Sequence, residues 1–145
     1  METKIRPVTK EEQDTWPKTV IVPLEKPFTD ERGSIQPLMN VAMESCVLIS
    51  SKKGTVRANH YHRTDWHYCY VLEGEIEYWE RPTGTTDPAV KTVIGPGTMF
   101  FTGPSQDHAM VFTKDTTFLT FGRNSRAHEV YEADVVRIPP LASPY

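Results

Sequence analysis

The chain has 145 residues, 38% hydrophobic and 24% charged, with a formal net charge of −3. That length can bury one real core, and the charge balance excludes a broad nucleic-acid-binding face. No apolar run approaches the ~20 residues of a membrane-spanning helix, the first residues lack the apolar core of a secretory signal, and Cys46 and Cys69 alone are too few for a disulfide scaffold. A cytoplasmic protein with reduced thiols is expected.

Residues 1–18 are polar and contain Pro7 and Pro17. They are expected to form a loose arm with at most one helical turn over 10–15. Residues 19–145 are expected to form one domain. Its strands are predicted at 19–23, 34–38, 44–50, 56–62, 67–72, 75–81, 90–94, 99–102, 108–112, 116–122 and 135–138. These segments are short, rich in Val, Ile, Tyr, Phe and Thr, and bounded by Gly, Pro, Asp or Ser. Glu73-Gly74 sits between two alternating runs and reads as a tight hairpin, residues 81–88 as a longer loop, and Gly95-Pro96-Gly97 as another turn. No amphipathic helical stripe crosses 19–122. The pattern predicts an all-β sandwich or barrel.

Four of the five histidines fall in these strands. His60 and His62 are two apart, so both imidazoles leave the same face of one strand. His67 shares a face with Cys69 and Val71, while Tyr68, Tyr70 and Leu72 point the other way. His108 shares a face with Met110 and Phe112. Four neutral imidazoles converging in an apolar interior would suit a divalent transition metal: Mn, Fe, Ni, Co or Zn, which imidazole alone does not distinguish. Arg57, Cys69, Met110 and Phe112 are candidate lining of a small-molecule pocket. Cys69 also reads as a small core hydrophobe. Asp65 and Asp107 flank the histidines, where either could orient an imidazole, but surface exposure is expected of both. Glu73, Glu75, Glu77 and Glu80 read as a solvated face, and His128 as exposed. Aromatic-rich outward strand faces suggest a homodimer.

The segment from Gly54 to Gly74 resembles the first motif of the cupin superfamily: G, five residues, H-x-H, three or four residues, E, six residues, G. Every spacing is met, with His67 in the place of Glu. The second motif is G, five residues, P-x-G, two residues, H, three residues, N. Gly97 and His108 match it, whereas Gly103, Ser105 and Phe112 depart from it. The resemblance implies an antiparallel double-stranded β-helix, the jelly-roll barrel of cupins, with metal ligands at His60, His62, His67 and His108. It also implies oxygenation or isomerisation of a small oxygenated molecule. A second resemblance is to the sugar-nucleotide cupins, the dTDP-4-keto-sugar ketoisomerases and, more remotely, the dTDP-4-dehydrorhamnose 3,5-epimerases. It rests on residues 30–35, on 57–63 (similar to R-G-x-H-A-H-K, with Ala58 for Gly) and on the closing segment 131–137. That family uses the paired histidines as acid and base without a metal, which implies catalytic roles for His60 and His62, and it lacks histidines at the two further positions. A cupin module that binds a small molecule without turnover is the third reading.

Overall fold

A computed structural model describes residues 5–141. After helix α1 (Lys10–Gln13) the chain runs β1 (Ile21–Val22), β2 (Phe28–Asp30), β3 (Gly33–Ile35), β4 (Ser45–Ser51), β5 (Val56–His62), β6 (His67–Glu73), β7 (Ile76–Pro82), β8 (Val90–Ile94), β9 (Met99–Thr102), β10 (Gln106–Phe112) and β11 (Thr116–Gly122). Helix α2 (His128–Asp134) and β12 (Val135–Arg137) follow. One sheet has the order β1-β9-β6-β11-β4 and the other β12-β5-β10-β7-β8, with β2 and β3 as a separate hairpin. Every pairing is antiparallel. This is the jelly-roll barrel of the cupins.

The interior follows from strand parity. Cys69 and Val71 of β6, Ile76 and Tyr78 of β7, Phe100 of β9, Phe112 of β10 and Phe118 of β11 meet between the sheets and are almost fully buried. The opposite face of the first sheet carries Tyr68, Met99 and Phe101, which join Trp66 in a second cluster. What covers that cluster corrects one expectation. Residues 5–18 are packed rather than loose: Val8 and Trp16 lie on the second cluster, and Trp16 meets Trp66 edge to face with ring centroids 5.2 Å apart. Trp16 is half-buried there, and covering part of an aromatic of this size is worth about 1–2 kcal/mol, which helps to hold a short segment. Residues 1–4 of the expected arm lie outside the described residues.

A capping box between Thr9 and Glu12 starts α1, satisfying amide N–H groups that a four-residue helix would otherwise leave free. Glu12 then accepts two hydrogen bonds from Arg123, at 3.0 and 2.9 Å. Arg123 is 2% exposed. It also donates to the carbonyls of Arg6 and Pro7 and stacks on Trp66. The guanidinium therefore ties the N-terminal segment to the end of β11.

Two elements differ from the sequence reading. The strand predicted at 34–38 is instead the hairpin β2–β3, because Pro37 supplies no amide hydrogen to a ladder and the Gln36 side chain bonds the Glu25 carbonyl. Helix α2 was not anticipated. It has no side-chain N-cap and is held instead by what its residues reach in the barrel.

Candidate functional site

Strand β5 contains a local irregularity that aims its histidines. Ala58 and Asn59 both have positive φ, 73° and 55°, and the register against β10 shifts so that His108 faces His60 while Ala109 faces Ala58. Asn59 is the extra residue of a β-bulge. Its carbonyl accepts from Ile138 N–H and its side-chain oxygen from Leu141 N–H. The left-handed backbone costs an alanine about 1 kcal/mol.

Beyond the bulge, His60 and His62 project inward with ring centroids 4.7 Å apart, and His108 lies 4.7 Å from His60. One nitrogen each from His60, His62 and His108 fall within 4.8 Å of one another. His67 also faces inward, 4.7 Å from His62, but it does not join that trio. It groups with His62 and Asp65, its Nε2 2.8 Å from the Asp65 carboxylate. The expected convergence of four imidazoles is therefore three plus a neighbour engaged by a carboxylate.

Hydrogen bonds fix the tautomers. His108 Nδ1 lies 3.0 Å from the Gln106 carbonyl, which can only accept, so Nδ1 carries the proton and Nε2 is a lone pair. His62 Nδ1 donates to Asp134 at 2.9 Å. Its Nε2 is buried with no hydrogen-bond partner among the described residues. Burial alone would raise the Asp134 carboxyl, but the bonds from His62 and Thr64 hold it at about 2. Burial pushes His60 down to about 3, aided by its histidine neighbours. Burial also lowers His62, against the pull of Asp134, and drives His108 well below the usual imidazole range. All three rings are neutral at pH 7.

The two carboxylates form one network. Asp134 Oδ1 accepts from Thr64 N–H and the Thr64 hydroxyl, both at 2.7 Å, and from Asp65 N–H at 3.2 Å. Asn124 donates its side-chain N–H to Thr64 and its backbone N–H to Asp65. Asp65, expected at the surface, is 3% exposed. Burial pushes its carboxyl up, but His67 and the Asn124 N–H outweigh that and leave it below the usual value. Asp107 is also buried rather than exposed. It braces Arg81 and Thr83, not a histidine.

A cavity of about 150 Å³ opens beside the cluster, lined by His60, His67 and His108 with Arg57, Cys69 and Met110, and by Arg126 and Tyr131. His62, 1% exposed, packs behind them. Phe112 is not in this lining. It lies deeper, against Phe118, in the apolar core. Cys69 is a core residue whose thiol burial pushes up to about 12, so it is neither thiolate nor nucleophile. Glu80 leaves the acidic solvated run: it pairs with His108 across the ladder and accepts from the Tyr78 hydroxyl at 3.0 Å, and burial raises its carboxyl. His128 is exposed, as expected. The sequence assigns no site role to Asp134, Arg126 or Tyr131. The one signal for Asp134 was its place in the closing segment, one residue before a strand.

Neutral imidazoles braced by carboxylates can carry protons. The same donor set fits a divalent transition ion: three lone-pair nitrogens can meet, two of them on rings whose other nitrogen is anchored, as ligating histidines require.

The barrel and its inward histidines define a jelly roll with a histidine-lined cavity. The cupin-domain family profile matches residues 47–121, and the chain belongs to the cupin family. Among solved structures, it is similar to a 3,4-ketoisomerase from Helicobacter canadensis (18% identity, 77% of this chain and 85% of that one, TM-score 0.64). It is also similar to a sugar 3,4-ketoisomerase from Thermoanaerobacterium thermosaccharolyticum in complex with TDP (18%, 77% and 82%, 0.63). A third is a dTDP-4-dehydrorhamnose 3,5-epimerase from Sulfolobus tokodaii (20%, 72% and 69%, 0.59). At these identities the likeness shows the fold. No curated protein matches the chain significantly.

Proposed function

We propose that the chain is an isomerase or epimerase that moves a proton beside the carbonyl of a nucleotide-linked keto-sugar. The observation that carries this reading is the buried His62–Asp134 pair, 2.9 Å apart, directly behind the cavity-facing His60. Support comes from the similar barrels, which are sugar-nucleotide ketoisomerases and an epimerase. In this reading His60 takes the C–H proton next to the carbonyl, and the electron pair moves onto the carbonyl oxygen as an enediolate. His62 supports the protonated His60, and Asp134 compensates positive charge that reaches His62. Return of the proton to the same carbon epimerises it; return to the former carbonyl carbon, with the neighbouring hydroxyl proton passing to the former carbonyl oxygen, isomerises the sugar. The cavity admits the sugar, and the nucleotide lies outside it.

The test is proton NMR of TDP-4-keto-6-deoxyglucose in D2O. The intact protein should catalyse exchange of the proton next to the carbonyl, and His60→Asn should abolish it. No exchange with this sugar or with a UDP-linked 4-keto-sugar would end the reading.

A second reading has its own observation, the bare, buried Nε2 of His62 beside two further imidazoles. A resident Mn, Fe, Co, Ni or Zn ion held by His60, His62 and His108 would satisfy it and supply Lewis-acid stabilisation of the same enediolate. Elemental analysis decides: below roughly a tenth of an ion per chain, with no uptake on adding these metals, the ion is not part of the protein. The proposal also takes the chain to work in the cytoplasm as a homodimer, which light scattering of the purified protein checks.

A further inference from the structure

The sequence reading placed no residue of the α2 region in the site, and the family profile ends at residue 121. Yet the segment leading into α2 supplies the cavity with an exposed cation. Arg126 lines the cavity, and its guanidinium carbon sits 4.5 Å from the centre of the Tyr131 ring. A guanidinium in this position is attracted by the ring face and keeps N–H groups for a ligand. Arg126 makes no ion pair among the described residues, in contrast to Arg123, Arg81 and Arg137.

The rest of the lining has the same sign. Arg57 also faces the cavity. Its Nε donates to the Ser51 hydroxyl at 2.7 Å and its Nη2 to the Ser50 carbonyl at 3.1 Å, both uncharged partners. Among the described residues no carboxylate lines this cavity, while two arginines do. Both arginines are exposed, and with no carboxylate beside them in the lining they present an attractive field to an anionic group entering the cavity.

We infer that Arg126, seated over the Tyr131 ring, is a specificity-determining residue that grips an oxyanion of the ligand at the cavity wall, with Arg57 as the second cation. The chemistry recognised is a phosphoryl group, whose oxygens accept two parallel N–H bonds from one guanidinium. This deepens the isomerase reading by naming the residue that reads the phosphate end of the substrate. Because Tyr131 also packs on the His62 ring, with centroids 6.2 Å apart, the gripped phosphoryl lies one side chain away from the proton-transfer pair.

The experiment is calorimetric titration of the full chain with inorganic pyrophosphate, dTDP and thymidine, at low and high salt. Pyrophosphate and dTDP should bind and thymidine should not. Arg126→Gln should weaken both anions about tenfold or more, the loss of a charge-assisted bidentate contact, with Arg126→Lys between the two. Lys114→Gln, which removes an exposed charge elsewhere, should change neither. Pyrophosphate distinguishes a free oxyanion site from one that requires the nucleoside. Circular dichroism of Arg126→Gln should match the unsubstituted protein, since the side chain is exposed. Failure of the unsubstituted protein to bind pyrophosphate, or Arg126→Gln binding both anions as tightly as before, overturns the inference. Deuterium exchange and anion binding fail separately. Weakened dTDP binding without exchange in the unsubstituted protein keeps Arg126 as the reader and removes the isomerase; exchange with an unaffected Arg126→Gln does the reverse.

Discussion

Asp134→Asn separates the two jobs that one carboxylate performs. One oxygen receives Thr64 N–H, the Thr64 hydroxyl and Asp65 N–H; the other receives His62 Nδ1–H. Alanine would strand all of these donors in a site that is 1% exposed. At about 1–3 kcal/mol per stranded donor, less what water recovers, the loss should be roughly 3–6 kcal/mol. Asparagine keeps an oxygen for the Thr64 and Asp65 donors and places its NH2 against His62. That should cost only about 1–2 kcal/mol, but His62 must then accept at Nδ1, and the proton moves to Nε2. The buried lone pair disappears, and with it both proton uptake at Nε2 and metal ligation there. Urea unfolding measures the stability difference, and nitrogen-15 NMR of the imidazole reads the tautomer. If Asp134→Asn retains a protonated Nδ1 and a bare Nε2, the reasoning about this pair is wrong. The pH dependence has a definite sign. Asp134 is held at about 2 in the fold, below the ordinary carboxyl value of 3.8, so its contribution is complete above pH ~4 and is lost as the pH falls through ~2.

Three other substitutions test the scaffold. Ala58→Gly should raise stability by up to about 1 kcal/mol, because φ of 73° favours glycine while the freer unfolded chain takes some of that back; the urea midpoint reports it. Gly74→Ala should cost more than about 2 kcal/mol by the same assay, since a Cβ there would lie 2.5 Å from the Asp115 carbonyl oxygen at a φ of 99°. Arg123→Leu should cost about 3–5 kcal/mol and release residues 5–18, seen as faster amide exchange and proteolysis before Ile21. The same latch weakens with acid. The bonds from Arg123 hold Glu12 at about 2 against 4.5, so the contact is whole above pH ~4.5 and is lost as the pH falls towards 2.

Strands with strict alternation and clear turn residues were legible in the sequence: β5, β8, β9 and β11 begin and end where the pattern places them. The same parity put Cys69 inside and Tyr68 outside. It also held the clue to Glu80, which shares the even positions of Ile76 and Tyr78 rather than the odd ones of Glu73, Glu75 and Glu77. Other features left no periodic trace. Asp65 and Asp134 are single acids in polar stretches, and only tertiary donors make them interior residues. Trp16 sits alone in a charged segment, where its burial depends on Trp66, fifty residues away. Helix α2 lacks an apolar stripe because its few inward side chains meet a polar site rather than a core.

The turn between β5 and β6 has an evolutionary consequence. Connections of this kind ordinarily absorb extra residues without harm, but here the short stretch between His62 and His67 gives the Thr64 and Asp65 N–H groups to Asp134 and the Asp65 carboxylate to His67. Lengthening it by a single residue would unseat both rings together. Relatives that keep this chemistry should therefore vary in loop length almost anywhere before they vary here.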